Sequence, residues 1–391
     1  MFGRSKQFGQ DCHTLLILGC RGVPAAHGGF ETFAEDLSLH LASKGWNVSV
    51  YCEGKWNGSS QTFEENWRGV NRIVVPVWNR GPLGTIEFDC RCMLHAVRGP
   101  GILLILGYNT GFLALLPKLL GRCTIINMDG IEWKRTKWPW IVRQWFRLNE
   151  SLASLAGDTL VADHPAIASH LARHVRRDKI IVLPYGAEPV LQSSTMHVTE
   201  LSLAPYRYFL IVCRIEPENS VLELITAFSA KPRSSKLVVL GLLDQTSRYH
   251  LDIVQQASEN VVFLGPIYDR ERVRALRFYA RAYCHGHTVG GTNPSLVEAL
   301  AAGGAVIAHD NPFNRWTAGP EQFYFKNVDG CTALFDALDE GDDDLITARR
   351  AARARHRNQF LLSDVLAYYE ELFEGAERLS AVTELEHRRR C

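Results

Sequence analysis

The sequence lacks a strong charge of either sign. Its 43 Lys and Arg face 42 Asp and Glu, a net charge of +1, so whole-molecule electrostatics makes no case for a nucleic-acid partner. The ten cysteines are scattered, with no C-x-x-C pair and no Cys/His cluster, which argues against a disulfide frame. Several lie in apolar, strand-like runs and read as buried reduced thiols of a cytosolic protein. The opening segment MFGRSKQFGQDCH has no apolar signal core. There are no short internal repeats and no low-complexity region. The run Gly101–Leu120 is nearly uncharged, yet Gly107, Asn109, Gly111 and Pro117 divide it. It reads as a buried strand, a turn and a helix, not as a membrane span.

What is present is alternation. With 391 residues, 46% hydrophobic and 22% charged, the chain has the size of two soluble domains, each able to bury its own core. Strand-like runs are predicted at 14–22, 47–52, 72–77, 102–106, 124–128, 159–162 and 180–184, most of them separated by helical patterns such as 30–44, 85–97 and 165–175. A polar, Ser/Thr-rich stretch at 190–205 is the best linker. Alternation restarts with strands at 209–213, 236–240, 261–264, 282–285, 305–308 and 322–325. Residues 345–390 are helical, with Leu366, Tyr369, Leu372 and Phe373 at helical spacing. The expected fold is α/β: two doubly wound, Rossmann-like parallel sheets facing a cleft. The expected domains are 12–189 and 206–362, with 363–391 forming a C-terminal helix. Ligands of open α/β sheets bind at strand carboxyl ends, so the site belongs in the cleft.

The densest chemistry is HGHTVGGTNPSLVEALAAG, residues 285–303. Gly290 and Gly291 allow close backbone approach, and Pro294 suits a helix start. The amides of that first turn make an anion seat, and Glu298, one turn further on, could accept hydrogen bonds from ribose or sugar hydroxyls. His285 and His287 flank Gly286 and are as apt to touch ligand as to pack. The first loop, GCRGVPAAHGGFETF, brings Gly28 and Gly29 to a helix start at the cleft. It is not G-x-G-x-x-G, so Glu53, placed where a dehydrogenase holds ribose, lacks its companion motif. Arg214 in CRIEPENS could make a bidentate phosphate contact or a surface ion pair with Glu216 or Glu218. Asp129 and Glu132 in NMDGIEWKR could orient sugar hydroxyls, cap a helix, or serve as paired acids. Asp342–Asp344 reads as solvated charge at a helix start. Residues 132–149 hold four of the nine Trp and five Lys/Arg against one acid, a pattern of interfacial helices and equally of a packed helix with a basic face. Arg173, Arg176, Arg177 and Lys179 could extend that face toward anionic lipid.

GCRGVPAAHGGFE, NMDGIEWKR, CRIEPENS and HGHTVGGTNPSLVEA, in this order, resemble the family-4 glycosyltransferases of GT-B fold, with the nearest likeness to the bacterial rhamnosyltransferase-like subgroup. The likeness spans about Leu15 to Phe373. It implies retaining transfer of a sugar, rhamnose first among hexoses, from a dTDP-, UDP- or GDP-linked donor to a glycan or lipid-linked acceptor in surface polysaccharide synthesis. No metal and no cofactor are implied. It further implies donor binding by the second domain, with Glu298 on the ribose, Arg214 on the pyrophosphate, and Gly290, Gly291, Thr292, Asn293 and Ser295 around sugar and phosphates. Gly28 and Gly29 would approach from the first domain, the last helices would return to brace that domain, and Arg214, Asp129 and His287 would be the catalytic set. Three departures stand out: Gly290 replaces the first of two glutamates separated by seven residues, Asn219 replaces a Lys, and Asp129 replaces a His. A two-domain NAD-dependent oxidoreductase and a non-catalytic nucleotide-sugar-binding protein are the alternatives. The expected location is the cytoplasm, peripheral on the inner membrane face.

Overall fold

A computed structural model describes residues 13–390 except His27, Asn57, Ser59, Ser60 and Thr136; side chains are described to Arg378. The opening segment through Cys12, His27 of the first glycine loop, and Cys391 lie outside the described residues.

The first sheet has eight strands: β1 (Thr14–Leu18), β2 (Asn47–Lys55), β3 (Phe63–Trp67), β4 (Val70–Val77), β5 (Ile102–Leu106), β6 (Thr124–Asn127), β7 (Thr159–Ala162) and β8 (Ile180–Val182). Their order is β3-β4-β2-β1-β5-β6-β7-β8, parallel except for β3, which runs antiparallel to β4. Its helices are α1 (Gly29–Ser43), α2 (Gly81–Ala96), α3 (Leu115–Leu119), α4 (Trp140–Ala156) and α5 (Pro165–Leu171). Successive residues of β1 enter different cores: Leu15 and Ile17 pack under α1, Leu16 and Leu18 under α2. Burial on both faces is why these strands read as unbroken apolar runs. The edge strand β3, FEENW, is exposed along most of its length and carries no such run, so hydrophobic patterning misses it.

A connecting stretch holds the short α6 (Met196–Thr199), whose Val198 is fully buried, so this segment packs into the second core and is not a free tether. The second sheet is all parallel, in the order β11-β10-β9-β12-β13-β14. Its strands are β9 (Tyr208–Val212), β10 (Lys236–Leu240), β11 (Val261–Phe263), β12 (Ala282–His285), β13 (Val306–His309) and β14 (Phe323–Phe325). Around it lie α7 (Val221–Ser229), α8 (Arg248–Gln256), α9 (Arg270–Phe278), α10 (Pro294–Ala301), α11 (Pro312–Ala318), α12 (Val328–Glu340) and α13 (Asp343–Gln359). Asp342, just before α13, is ion-paired to Arg281 at 2.9 Å, consistent with helix-start charge.

The last helix, α14 (Leu362–Arg390), belongs to the other core. Its Val365, Leu366, Tyr369 and Phe373 are buried with Phe33, Leu37 and Trp46 of the first domain. The uncharged run 101–120 is β5, a 3-10 turn and α3, as the sequence suggests. No helix among the described residues is long and apolar enough to cross a membrane.

In each sheet the strand order reverses once, β1 against β5 in the first and β9 against β12 in the second. Ligands of doubly wound folds gather at such reversals.

Candidate active site

Both reversals open on the cleft. Arg214 lies just past the end of β9, and His285 closes β12 with Gly286 and His287 just beyond it. Gly286 is required there: a Cβ on it would run into the backbone of Asn219. Thr288 then binds the same loop, its amide and hydroxyl both donating to the carbonyl of Glu218, at 2.9 and 3.0 Å. Asn219, standing where the resembled family has a Lys, donates from Nδ2 to the carbonyl of Arg214 at 2.7 Å. It fixes the main chain that carries Arg214 and adds no charge.

Arg214 itself is 76% exposed and 3.7 Å from Glu216. An exposed pair at that distance is worth little, so the guanidinium remains available to an anion. Across the cleft, Asp129 sits at a left-handed turn after β6 (φ 46°), with its amide donating to Asn127 Oδ1 at 3.0 Å. Burial pushes its carboxyl up to about 6; Glu132 adds to the rise, while Arg135 and Arg214 oppose it. Glu132 is ion-paired with Arg135 at 2.6 Å and is not a second free acid. His287 stacks flat on His285, with centroids 4.2 Å apart and planes at 6°. Burial, with the positive charges of Arg135 and Arg214, brings His287 down to about 3, so it is a neutral imidazole at physiological pH.

The donor loop is partly committed to the domain interface. Asp163, at the end of β7, accepts the Thr292 amide at 3.1 Å, and its carbonyl takes the Thr292 hydroxyl. A Cβ on Gly291 would run into the same carboxylate. Burial, reinforced by Asp129, holds Asp163 well above the usual carboxylate range. Asn293 caps α10 by accepting the Ser295 amide at 2.9 Å, and the Ser295 hydroxyl is held by Tyr283, Val212 and Arg277. Thr292, Asn293 and Ser295 therefore shape the loop, and the amide seat expected over the whole of 291–295 is narrower than the sequence suggests. Gly290 differs. At φ 140° its Cβ position has no atom within 4 Å, so space is open there.

Glu298 faces the cleft, 41% exposed, with Oε2 held by the nearly buried Arg277 at 2.5 Å. That pairing orients the carboxylate before any ligand arrives. Around it lies a cleft of about 510 Å³ lined from both domains, by Gly28, Thr32 and Asp36 on one side and Arg270, Arg277 and Glu298 on the other. Val212, Ile267 and Tyr268 continue it into a second hollow of about 550 Å³ beside Arg214. Gly28 (φ 99°) adopts a conformation that favours glycine, and a Cβ on Gly29 would stand 3.2 Å from Pro294, so the two glycine loops meet. Glu53 points elsewhere, pairing with Arg21 at 3.8 Å in a first-domain cavity.

Of the basic aromatic segment, Arg135 is ion-paired to Glu218 and Lys137 to Glu216 at 2.9 Å, both across the cleft. These cations tie the domains together and do not face a membrane, which corrects the expectation for them. Asp163 and Arg277 escaped sequence reasoning. Asp163 carried a usable signal, a carboxylate directly after a strand and two residues before a helix-starting Pro.

Residues 197–340 match the model of the glycosyl transferases group 1, and residues 12–188 match a domain of unknown function, DUF1972. The glycosyl transferase match covers the second sheet and most of its helices. Sucrose-phosphate synthase from Thermosynechococcus elongatus superposes with TM-score 0.78 at 16% identity, covering 94% of this chain and all of that one. HepE of Anabaena, in complex with UDP and glucose, gives 0.72 at 15%, covering 93% and 99%. The UDP-forming trehalose-phosphate synthase of Burkholderia xenovorans, in complex with glucose-6-phosphate, gives 0.72 at 11%, covering 93% and 100%. The fold is that of the GT-B glycosyltransferases, two Rossmann-like α/β domains about a cleft. No curated protein matches the chain.

Among the described residues, no group of three or more His, Cys, Asp and Glu is arranged to hold a metal ion.

Proposed function

We propose that the chain transfers a hexose, rhamnose first, from a nucleotide-sugar donor to a hydroxyl of a glycan or lipid-linked acceptor, with retained configuration, in the assembly of a surface polysaccharide. The observation that carries this reading is the groove running past Val212, with Arg214 on one side and the oriented Glu298 on the other. Glu298 accepts from the ribose hydroxyls. Arg214 meets the pyrophosphate, Tyr268 borders the hollow left for the base, and the space at Gly290 takes the sugar. The donor nucleotide is UDP, dTDP or GDP; UDP is bound by a structural neighbour.

In the reaction the bond from the anomeric carbon to the phosphate oxygen breaks and a bond to the acceptor oxygen forms. The acceptor proton passes to the leaving phosphate. Catalysis is then a matter of position and charge: Arg214 stabilises the departing diphosphate, neutral His287 can donate a hydrogen bond, and ionised Asp129 orients a sugar hydroxyl. No metal or cofactor enters this scheme. Nucleotide release from a panel of nucleotide sugars tests it; a chain that releases nothing from any of them is not this enzyme.

A second surface supports a peripheral position on the cytoplasmic membrane face. On α4 the exposed residues include Trp140, Ile141, Leu148 and Leu155, and the neighbouring α3 end adds Leu119 and Leu120. Arg147 is exposed among them, whereas the lone acid of α4, Glu150, is buried. An apolar ridge that carries a cation suits an anionic lipid surface.

A further inference from the structure

The first-domain cavity at the β1/β5 reversal is lined by residues 18–21 at the end of β1, by Leu106 and Gly107 at the end of β5, and by Phe30 and Glu31 of α1. It measures about 230 Å³, below the usual size of a pocket that encloses a whole ligand, so it admits one end of a longer molecule. Glu31, Glu53 and Asp89 line it, with Arg21 as the cation. Arg21 is already engaged: its guanidinium is 3.8 Å from Glu53, and its amide donates to Glu31 at 3.1 Å. Asp89 is held by Thr110, whose hydroxyl donates to it at 2.7 Å, and burial pushes its carboxyl up to about 6. A cavity with acids in excess repels a phosphate and accepts hydrogen bonds from hydroxyls.

Two tryptophans stand at the ends of neighbouring strands on this side of the sheet. Lys55 of β2 is in register with Val77 of β4, and the next residues are Trp56 and Trp78. Their rings lie 5.1 Å apart at 36°, and Trp78 is 69% exposed. Its turn is anchored: Glu87 of α2 accepts the amides of Trp78 and Asn79 at 3.1 and 2.9 Å. The same helix supplies Thr85 and Asp89 to the cavity, and β2 supplies Glu53. The anchored pair offers indole surface to solvent at a fixed place beside the cavity, Trp56 being 37% exposed. The C–H face of a sugar ring complements the negative face of an indole.

We infer that the acceptor is an uncharged glycan chain, whose terminal sugar enters the cavity of Glu31, Glu53 and Asp89 and whose preceding sugars stack on Trp56 and Trp78. This rests on the transferase reading, and it names the class of acceptor and the surface that selects it.

The test is binding of the purified full chain to an array of neutral oligosaccharides and sugar phosphates, beside anionic phospholipid vesicles. Wild type is expected to bind neutral oligosaccharides. Trp78→Ala should weaken that binding at least ~10-fold, the scale of one lost aromatic contact, and Trp78→Phe should recover part of it. Trp78 is exposed, so its variants should fold, and the thermal shift of each with UDP-glucose and dTDP-rhamnose should match wild type. Binding confined to sugar phosphates or to vesicles, no saccharide binding at all, or Trp78→Ala binding neutral glycan like wild type would each overturn the inference. Absence of any shift in wild type across UDP-, dTDP- and GDP-sugars would instead remove the transferase reading and leave a glycan-binding surface.

Discussion

Asp163 of the first domain holds the amide of Thr292 in the second at 3.1 Å, and a Cβ on the adjacent Gly291 would collide with the same carboxylate. The donor loop is thus shaped by the domain it faces. Asp163→Ala leaves a buried amide without an acceptor, which costs about 1–3 kcal/mol. The variant should melt earlier and show a raised donor KM, whereas Asp163→Asn, which still offers a carbonyl oxygen, should keep most of both. Thermal unfolding and donor titration measure the difference; an unaltered Ala variant would mean that the clamp carries no weight.

Asp129 should leave a mark on the pH profile. Burial pushes its carboxyl up to about 6 from an ordinary value of 3.8, so the folded chain holds the proton across that interval. This group therefore favours the fold at low pH and progressively disfavours it as pH rises through 6. If the ionised form orients a sugar hydroxyl, turnover should fall as pH drops below about 6. Asp129→Asn should lose both that limb and most activity while melting no earlier than wild type at pH 7.5. A variant with the wild-type acid limb would assign the ionisation to another group.

The returning helix gives a stability prediction. Phe373 is fully buried against the first-domain core, with its ring 6.0 Å from Trp46. Phe373→Ala should cost about 3–5 kcal/mol, read in denaturant unfolding. A loss below about 1 kcal/mol would show that α14 is not part of that core.

Membrane contact is tested on the exposed face of α4, since Arg135 and Lys137 are engaged across the cleft. Ile141→Glu with Leu148→Glu should abolish cosedimentation with anionic liposomes and leave turnover of soluble substrates unchanged. Cosedimentation equal to wild type would exclude this face.

The sheets were legible because their strands are buried on both sides. Segments such as 102–106, 159–162, 236–240 and 282–285 match the observed strands end to end. The strand β3 was not, because an edge exposed along its length needs no apolar run. In the site, Arg214 and Glu298 were legible from their places after a strand and within a glycine-led helix. Their partners were not: Arg277 is one of several arginines on α9, and only the fold brings it under Glu298. The commitment of Thr292 to Asp163 joins residues 129 positions apart, a relation that no local pattern carries. The basic aromatic segment shows the same limit, since the sequence gives its charge but not its direction.

The most direct test is nucleotide release from UDP-, dTDP- and GDP-sugars, with neutral glycan and lipid-linked acceptors supplied, by wild type and by Arg214→Ala. Wild type should release nucleotide from one donor class. Arg214→Ala should do so at least ~100-fold more slowly if Arg214 stabilises the leaving diphosphate. Release at the wild-type rate by Arg214→Ala, or none by wild type from any donor, would contradict a transferase working in this cleft.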